Sequence, residues 1–247
     1  MRKILVAVVA AMLVACEHHP TATASPLGPS PVISPVPVTP ASVNSDDDEF
    51  ATRTIQFSGY TWVVRSSYGL PGEPESNFWS NSLRSVWVDT SGRLHLTIRK
   101  INGRWYSSDI WLAQDVGYGR YTWSVAGNSG PETRHSVLGM FVYDIATNGE
   151  VDVELSHWGR PNGWNVQYMV QPSQVGTGEV NISGSGNYGF EWSPGRVAFN
   201  NGTVTRSGVP VPTKPAVHID FWQCAPCYDT PSQDEEIVVN SFTFSQG

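Results

Sequence analysis

Basic residues are scarce in this chain of 247 residues, in which 15 Lys and Arg face 22 Asp and Glu and give a net charge of −7 at pH 7. A protein with this balance is poorly suited to binding nucleic acid or an anionic surface through charge. We therefore expect no nucleic-acid partner and a neutral substrate.

Sequence motifs for a cofactor or for a serine nucleophile are also missing. No glycine-rich phosphate loop follows a predicted strand, and the pattern Gly-x-Ser-x-Gly does not occur. The six histidines lack the paired spacing of metal ligands, apart from the adjacent His18 and His19. We therefore predict that the protein needs no cofactor.

Long apolar runs are absent except at the start, where residues 4–13 follow Arg2 and Lys3. This run is too short to span a membrane and is typical of a signal peptide. It ends in Leu13-Val14-Ala15-Cys16, which resembles the lipobox of bacterial lipoproteins. We predict cleavage of residues 1–15, a net charge of −9 after the loss of the two basic residues, and lipidation of Cys16. Ordinary signal cleavage beside an incidental cysteine is the alternative.

Metabolic labelling with a fatty acid tests the predicted lipid anchor, which would hold the protein on a bacterial outer membrane or cell surface. Wild-type protein should incorporate the acyl label, and a Cys16→Ala variant should lose it because the attachment site is gone. Label retained by the variant would contradict the prediction.

Cysteine is rare, and the two besides Cys16 lie close together in Cys224-Ala225-Pro226-Cys227. An oxidising compartment favours a small disulfide loop here, and free thiols are the alternative. A zinc site would need a second ligand pair at similar spacing, which the sequence lacks.

Residues 17–48 hold seven prolines among Ser, Thr, Ala and Val. This composition cannot bury a core and predicts an extended linker between the lipidated Cys16 and the rest of the chain. The remaining residues 49–247 suffice for one domain, which we expect to be a monomer.

The pattern of residues 49–247 is that of a β protein, without helical periodicity longer than two turns. Asn102-Gly103, between residues 97–101 and 105–112, and Asn201-Gly202 each predict a hairpin. Further strands are predicted at residues 86–88, 94–98, 121–125, 137–143, 150–155, 166–170, 217–222 and 237–244. Many short strands with Gly, Pro and Asn turns predict a sandwich or jelly roll.

Acidic and apolar residues alternate in Glu150-Val151-Asp152-Val153-Glu154-Leu155. Since alternate residues of a strand face the same side, the three acids should share one face. Like charges so placed repel one another and raise each other's pKa, which often marks a functional site. A solvated edge strand is the alternative. A pair of carboxyl groups on either side of a glycosidic bond is what glycoside hydrolysis requires.

Five segments follow one another in a recognisable order. They are Gly117-Tyr118-Gly119, residues 137–143 ending in Phe-x-Tyr, the acid row, Glu191-Trp192-Ser193-Pro194, and residues 218–222. In this order they resemble glycoside hydrolase family 16, which includes lichenases, laminarinases, agarases and xyloglucan-modifying enzymes. The resemblance extends over nearly the whole domain.

The resemblance implies an all-β fold, the concanavalin A-like lectin/glucanase jelly roll of two curved antiparallel sheets, with a substrate cleft. By position, Glu150 would be the nucleophile, Asp152 its assisting carboxylate, and Glu154 the general acid/base of an enzyme acting on a polysaccharide substrate. The residues implied to bind substrate are Phe141, Tyr143, Gln167, Trp192 and Trp222. For each of these five, filling the core is the alternative. Some family members hold a structural Ca²⁺, for which the sequence singles out no ligands here.

The chain departs from the lichenase pattern at binding positions. Gly149 stands where a Trp-Asp pair often precedes the first glutamate, Met169 where lichenases carry Asn, and Trp111 where they carry Arg. The acid row is kept while its neighbours differ, so the resemblance favours the reaction type more than any one substrate. A carbohydrate-binding protein without activity and a transglycosylase are the alternatives. Two unneutralised acids beside a neutral sugar favour catalysis over binding alone.

Overall fold

A computed structural model describes residues 52–128, 136–159, 164–172, 174–182, 184–224 and 230–247 of the protein. The predicted signal peptide, the linker and Cys16 lie outside these residues. The described parts form sixteen strands and one short 3-10 turn at Asn200–Gly202. The strands are β1 (Arg53–Phe57), β2 (Tyr60–Val64), β3 (Val86–Val88), β4 (Leu94–Ile101), β5 (Arg104–Tyr106), β6 (Ser108–Leu112), β7 (Gly119–Asn128), β8 (Ser136–Asp144), β9 (Gly149–Ser156), β10 (Trp164–Gln171), β11 (Gln174–Ile182), β12 (Gly186–Ser193), β13 (Arg196–Phe199), β14 (Val204–Ser207), β15 (Pro215–Gln223) and β16 (Glu235–Gln246).

The strands form two antiparallel sheets, which confirms the predicted all-β class. The first sheet has the order β1-β2-β6-β15-β8-β9-β10-β11, and the second has the order β14-β13-β12-β7-β16-β4-β3, with β5 paired to β4. Strands distant in the chain are neighbours in both sheets, as β6 and β15 are in the first. No described residues form a helix long and apolar enough to cross a membrane.

The core contains the alternate apolar residues of strands from both sheets. From the first sheet it takes residues such as Val151, Val153 and Ile219, and from the second it takes aromatic residues such as Trp123 and Phe190. Burying each of these large side chains contributes roughly 1.5–3 kcal/mol. The opposite side of each strand in the first sheet is thereby directed away from this core.

Both predicted hairpins are present, but the second strand of the first hairpin is shorter than predicted. β4 pairs with β5 across Asn102-Gly103, and β13 pairs with β14 across the turn that contains Asn201. The prediction of a single strand over residues 105–112 is wrong, because the strand is interrupted at Ser107. The N–H of Ser107 donates to the carbonyl of Phe78, and the chain then enters the first sheet as β6. This change of sheet places Asp109 and Trp111 beside β15.

Candidate active site

The acid row lies on β9, an interior strand of the first sheet with β8 and β10 as its neighbours. Asp152 is 5% exposed, whereas Glu150 and Glu154 are half-buried. The three apolar residues that alternate with them belong to the core, so the carboxyl groups all project from the other side of the sheet. We call that side the acidic face; besides the row it carries Asp109 and Asp220.

Both neighbouring strands add side chains to the acidic face in register with the row. On β8, Tyr143, Phe141 and Gly139 pair with the three acids in chain order. Tyr143 donates a hydrogen bond from its hydroxyl to Oδ1 of Asn148 at 3.0 Å. The structure thus places Phe141 and Tyr143, both predicted to bind substrate, directly beside Asp152 and Glu150.

β10 borders the row on its other side. Gln171, Met169 and Gln167 pair with the three acids in the same chain order. Gln167, also predicted to bind substrate, is therefore the cross-strand neighbour of Glu154. Met169, which stands where lichenases carry Asn, is the cross-strand neighbour of Asp152 and receives the side-chain amide of Gln171 at its sulfur at 2.7 Å.

The three acids of the row differ in how readily they ionise. Burial raises the pKa of Glu150, while a hydrogen bond from Asp152 and the positive charge of His218 oppose that rise. Burial, followed by the charges of Glu150 and Glu154, raises the pKa of Asp152 well above its ordinary value. Burial and the charge of Glu150 raise the pKa of Glu154 to about 8. Of the three, Glu150 is the one whose neighbours favour the ionised form, whereas the like charges beside Asp152 and Glu154 favour their protonated forms.

Asp220 of β15 is a further acid that the sequence argument did not single out. It is 2% exposed, and the N–H of Gly139 donates to its Oδ1 at 3.1 Å. A side chain at Gly139 would meet that oxygen, because an added Cβ would lie only 2.3 Å from it. Burial, then the charges of Asp109 and Glu154, raise the pKa of Asp220 well above its ordinary value.

Asp109 of β6 contacts two side chains, the guanidinium of Arg65 and the imidazole of His218. It is 1% exposed; its Oδ2 lies 3.3 Å from Nη1 of Arg65, and its Oδ1 lies 3.2 Å from Nδ1 of His218. Arg65 in turn lies over the ring of Trp79, with its guanidinium carbon 4.2 Å from the ring centroid. The alternation of His218 and Asp220 with the apolar Val217, Ile219 and Phe221 was the available signal, but the sequence does not show that β15 pairs with β6.

The two predicted tryptophans have different locations. Trp222 projects from the same side of β15 as Asp220, where it is 6% exposed and packs with Trp79, Val137 and Trp158. The structure corrects the prediction that Trp192 binds substrate, because this side chain belongs to the core. Its Nε1 donates to the carbonyl of Pro210 at 3.2 Å. Its strand, β12, lies in the second sheet, and position 192 falls on the inward side of that strand.

Other predicted features near the site are only partly described. Cys224 is disulfide-bonded, but Cys227 lies outside the described residues, so their pairing stays a prediction. Gly149 lies against Pro210, since an added Cβ would come within 2.7 Å of that ring. In the described part of the chain, no three His, Cys, Asp or Glu side chains are grouped to hold a metal ion.

A surface depression on the second sheet, lined by residues such as Arg120 and Glu191, lies apart from the acid row.

Comparisons with known proteins establish the fold. No protein-family model and no curated protein matches the chain. Among solved structures, a Bacillus licheniformis β-glucanase has a TM-score of 0.62 and 16% identity over 75% of this chain and 92% of its own. A prokaryotic β-1,3-1,4-glucanase (lichenase) from a mouse hindgut metagenome has a TM-score of 0.57 and 15% identity over 74% and 92%. A protein of Mycobacterium tuberculosis described as a pseudo β-1,3-glucanase has a TM-score of 0.56 and 13% identity over 75% and 91%. These likenesses confirm the predicted glucanase-type jelly roll.

Proposed function

We propose that this protein is a retaining glycoside hydrolase that cleaves a β-linked polysaccharide resembling a β-glucan. The observation that carries the proposal is the acid row itself, in which three carboxyl groups share one face of β9 and differ in the charges and hydrogen bonds that act on them. A retaining enzyme needs one ionised and one protonated carboxyl group at the same time. Glu150 and Glu154 meet that need between the pH at which Glu150 ionises and about pH 8.

The reaction proceeds in two steps that both residues share. Glu150 attacks the anomeric carbon while Glu154 gives its proton to the departing glycosidic oxygen, so the C–O bond breaks and a glycosyl ester forms on Glu150. Glu154, now ionised, then takes a proton from water as that water attacks the same carbon and releases Glu150. Asp152 donates its hydrogen bond to Glu150 in the free protein and so fixes the position of the nucleophile.

The surroundings of the row favour an uncharged sugar polymer. Phe141 and Tyr143 supply aromatic rings beside Asp152 and Glu150, and sugar C–H groups stack on such rings. Gln167 beside Glu154 can exchange hydrogen bonds with sugar hydroxyls. The ionised carboxylate of Glu150 would repel a polysaccharide that carries carboxylate or sulfate groups at this position. These steps require no cofactor.

The location that fits this activity is outside the cytoplasm. We propose that the lipidated Cys16 anchors the monomeric enzyme to a bacterial outer membrane or cell surface, with residues 17–48 as the spacer. A polysaccharide too large to enter a cell would be accessible there. Cys16→Ala, the variant of the labelling experiment, should accordingly release the enzyme into the soluble fraction.

A panel of neutral β-linked polysaccharides tests the function. We expect wild-type protein to release reducing ends from at least one β-glucan, and the first product observed by NMR should keep the β configuration because two displacements occur at one carbon. An α product would contradict the retaining mechanism.

Carbohydrate binding without cleavage is the second candidate, favoured by the likeness to a structure described as a pseudo β-1,3-glucanase. Retention of the protein on a glucan gel, with neither reducing ends nor transfer products, would support it. Transfer to an added oligosaccharide in place of water would show a transglycosylase that uses the same residues.

A further inference from the structure

His218 lies on the acidic face, although neither the acid row nor the proposed reaction steps include it. Its strand, β15, pairs with β8, so His218 stands opposite Phe141, and Phe141 stands opposite Asp152. Only one strand therefore separates His218 from the acid row.

Three contacts hold the imidazole of His218 in place, the loosest being a tilted ring contact with Trp111 at 6.2 Å between centroids. The imidazole ring stacks on that of Phe141 with centroids 4.8 Å apart and planes inclined by 10°. Its Nδ1 lies 3.2 Å from Oδ1 of Asp109, a carboxylate that can only accept, so Nδ1 donates. Asp109 is itself held by Arg65 through its other oxygen. A chain of contacts thus runs from Arg65 through Asp109 to His218 and ends on Phe141.

The charged groups around His218 come from four strands. Asp109 faces it from β6, Asp220 lies two positions along its own strand, and Arg65 follows β2. Glu150, Asp152 and Glu154 lie across β8 on β9, and Phe141 and Tyr143 belong to the intervening strand. Arg65 already pairs with Asp109, so in its protonated form His218 is the cation whose field acts on Glu150.

We propose that His218 is a positioning residue for the reaction, which in its protonated form keeps Glu150 ionised so that it can act as nucleophile. Asp109 and Phe141 hold the ring in place one strand away from the acid row. This inference rests on the proposed function for its consequence in catalysis, but the effect on ionisation of Glu150 exists whether or not the protein cleaves a glycan.

The sign of the effect follows from electrostatics. A positive charge nearby favours the ionised carboxylate and lowers its pKa, so removal of that charge raises the pKa of Glu150. Across one intervening strand the expected rise is on the order of half to one pH unit. The acidic limb of the kcat/KM profile, which reports ionisation of the nucleophile, should move to higher pH by the same amount. At higher pH, where Glu150 is ionised without help, the variant should match the wild type.

The test compares His218→Gln with His218→Lys and with a control, His95→Gln. Glutamine can still donate to Asp109 but carries no charge, whereas lysine keeps a positive charge. His95 lies on β4 in the second sheet, where its Nε2 is 3.2 Å from Oδ2 of Asp89, so the control removes a similarly bound histidine far from the row.

The primary readout is NMR titration of carboxyl-labelled glutamate, with the Glu150 signal assigned from its loss in Glu150→Gln. We expect the Glu150 titration to shift upward in His218→Gln, to stay at or below the wild-type pH in His218→Lys, and to be unchanged in His95→Gln. An unchanged titration of Glu150 in His218→Gln would overturn the inference. An equal upward shift in His218→Lys would also overturn it, because the shift would then come from the altered shape of the side chain and not from its charge. If the wild type cleaves nothing on the panel, the proposed function fails while the titration still decides the role of His218.

Discussion

Replacing Glu150 by serine is expected to abolish cleavage of every polysaccharide that the wild-type protein degrades. The first step forms a bond between the carboxylate of Glu150 and the anomeric carbon, and the serine hydroxyl is too short and too weakly nucleophilic to form it. Reducing-end release should fall to the detection limit, while binding to the same glucan should persist because the aromatic rings of β8 remain. Measured cleavage above a few per cent of wild type would contradict the assignment.

Two further experiments separate a missing nucleophile from a damaged fold. Glu191→Ser changes an exposed acid of β12 that pairs with Arg120 at 2.6 Å, and such surface pairs contribute only about 0–1 kcal/mol, so this control should keep full activity. Azide added to Glu150→Ser should occupy the space left by the carboxylate and yield a glycosyl azide of α configuration. Azide without effect on the variant, together with unchanged thermal unfolding, would assign the lost activity to some other group.

The acid row could be predicted from the sequence because all of its information is local. Alternation of acids with valines places Glu150, Asp152 and Glu154 on one face whatever the strand pairs with. The hairpin turns at Asn102-Gly103 and Asn201-Gly202 are local signals as well, and both are present. The residue pattern within a short segment was therefore enough to predict the face of the acid row and the two hairpins.

The rest of the site could not be predicted in this way because it depends on pairing between distant strands. Asp109 and His218 are 109 residues apart in the chain and meet only because β6 pairs with β15. The break at Ser107 that sends β6 into the first sheet is stabilised by Phe78, again a non-local contact. Trp192 shows the opposite failure: a tryptophan suits a sugar-binding surface and a core equally well, and only its sheet and its side decide between them.

Replacing Glu154 by glutamine is expected to lower kcat/KM on the polysaccharide by about 10²- to 10⁴-fold, the usual contribution of a general acid. The loss should depend on the leaving group. The dinitrophenolate of a dinitrophenyl β-glycoside departs without protonation. The variant should therefore form the glycosyl ester from this substrate almost as fast as the wild type does. The ester should then accumulate and be visible by mass spectrometry, because no base activates the water that attacks in the second step.

The pH profile gives this prediction a second, independent measurement. Burial and the charge of Glu150 raise the pKa of Glu154 to about 8. The rate of polysaccharide cleavage by the wild type should therefore be highest below that pH, where Glu150 is still ionised, and should fall above it as Glu154 loses its proton. Ester formation from the dinitrophenyl substrate needs no proton and should lack this alkaline limb in both proteins. An equal loss on both substrates, or an alkaline limb that persists in Glu154→Gln, would assign the general acid to another group. Asp220 would be the first to examine, since it is buried on the same face and its pKa is raised well above the ordinary value for an aspartate.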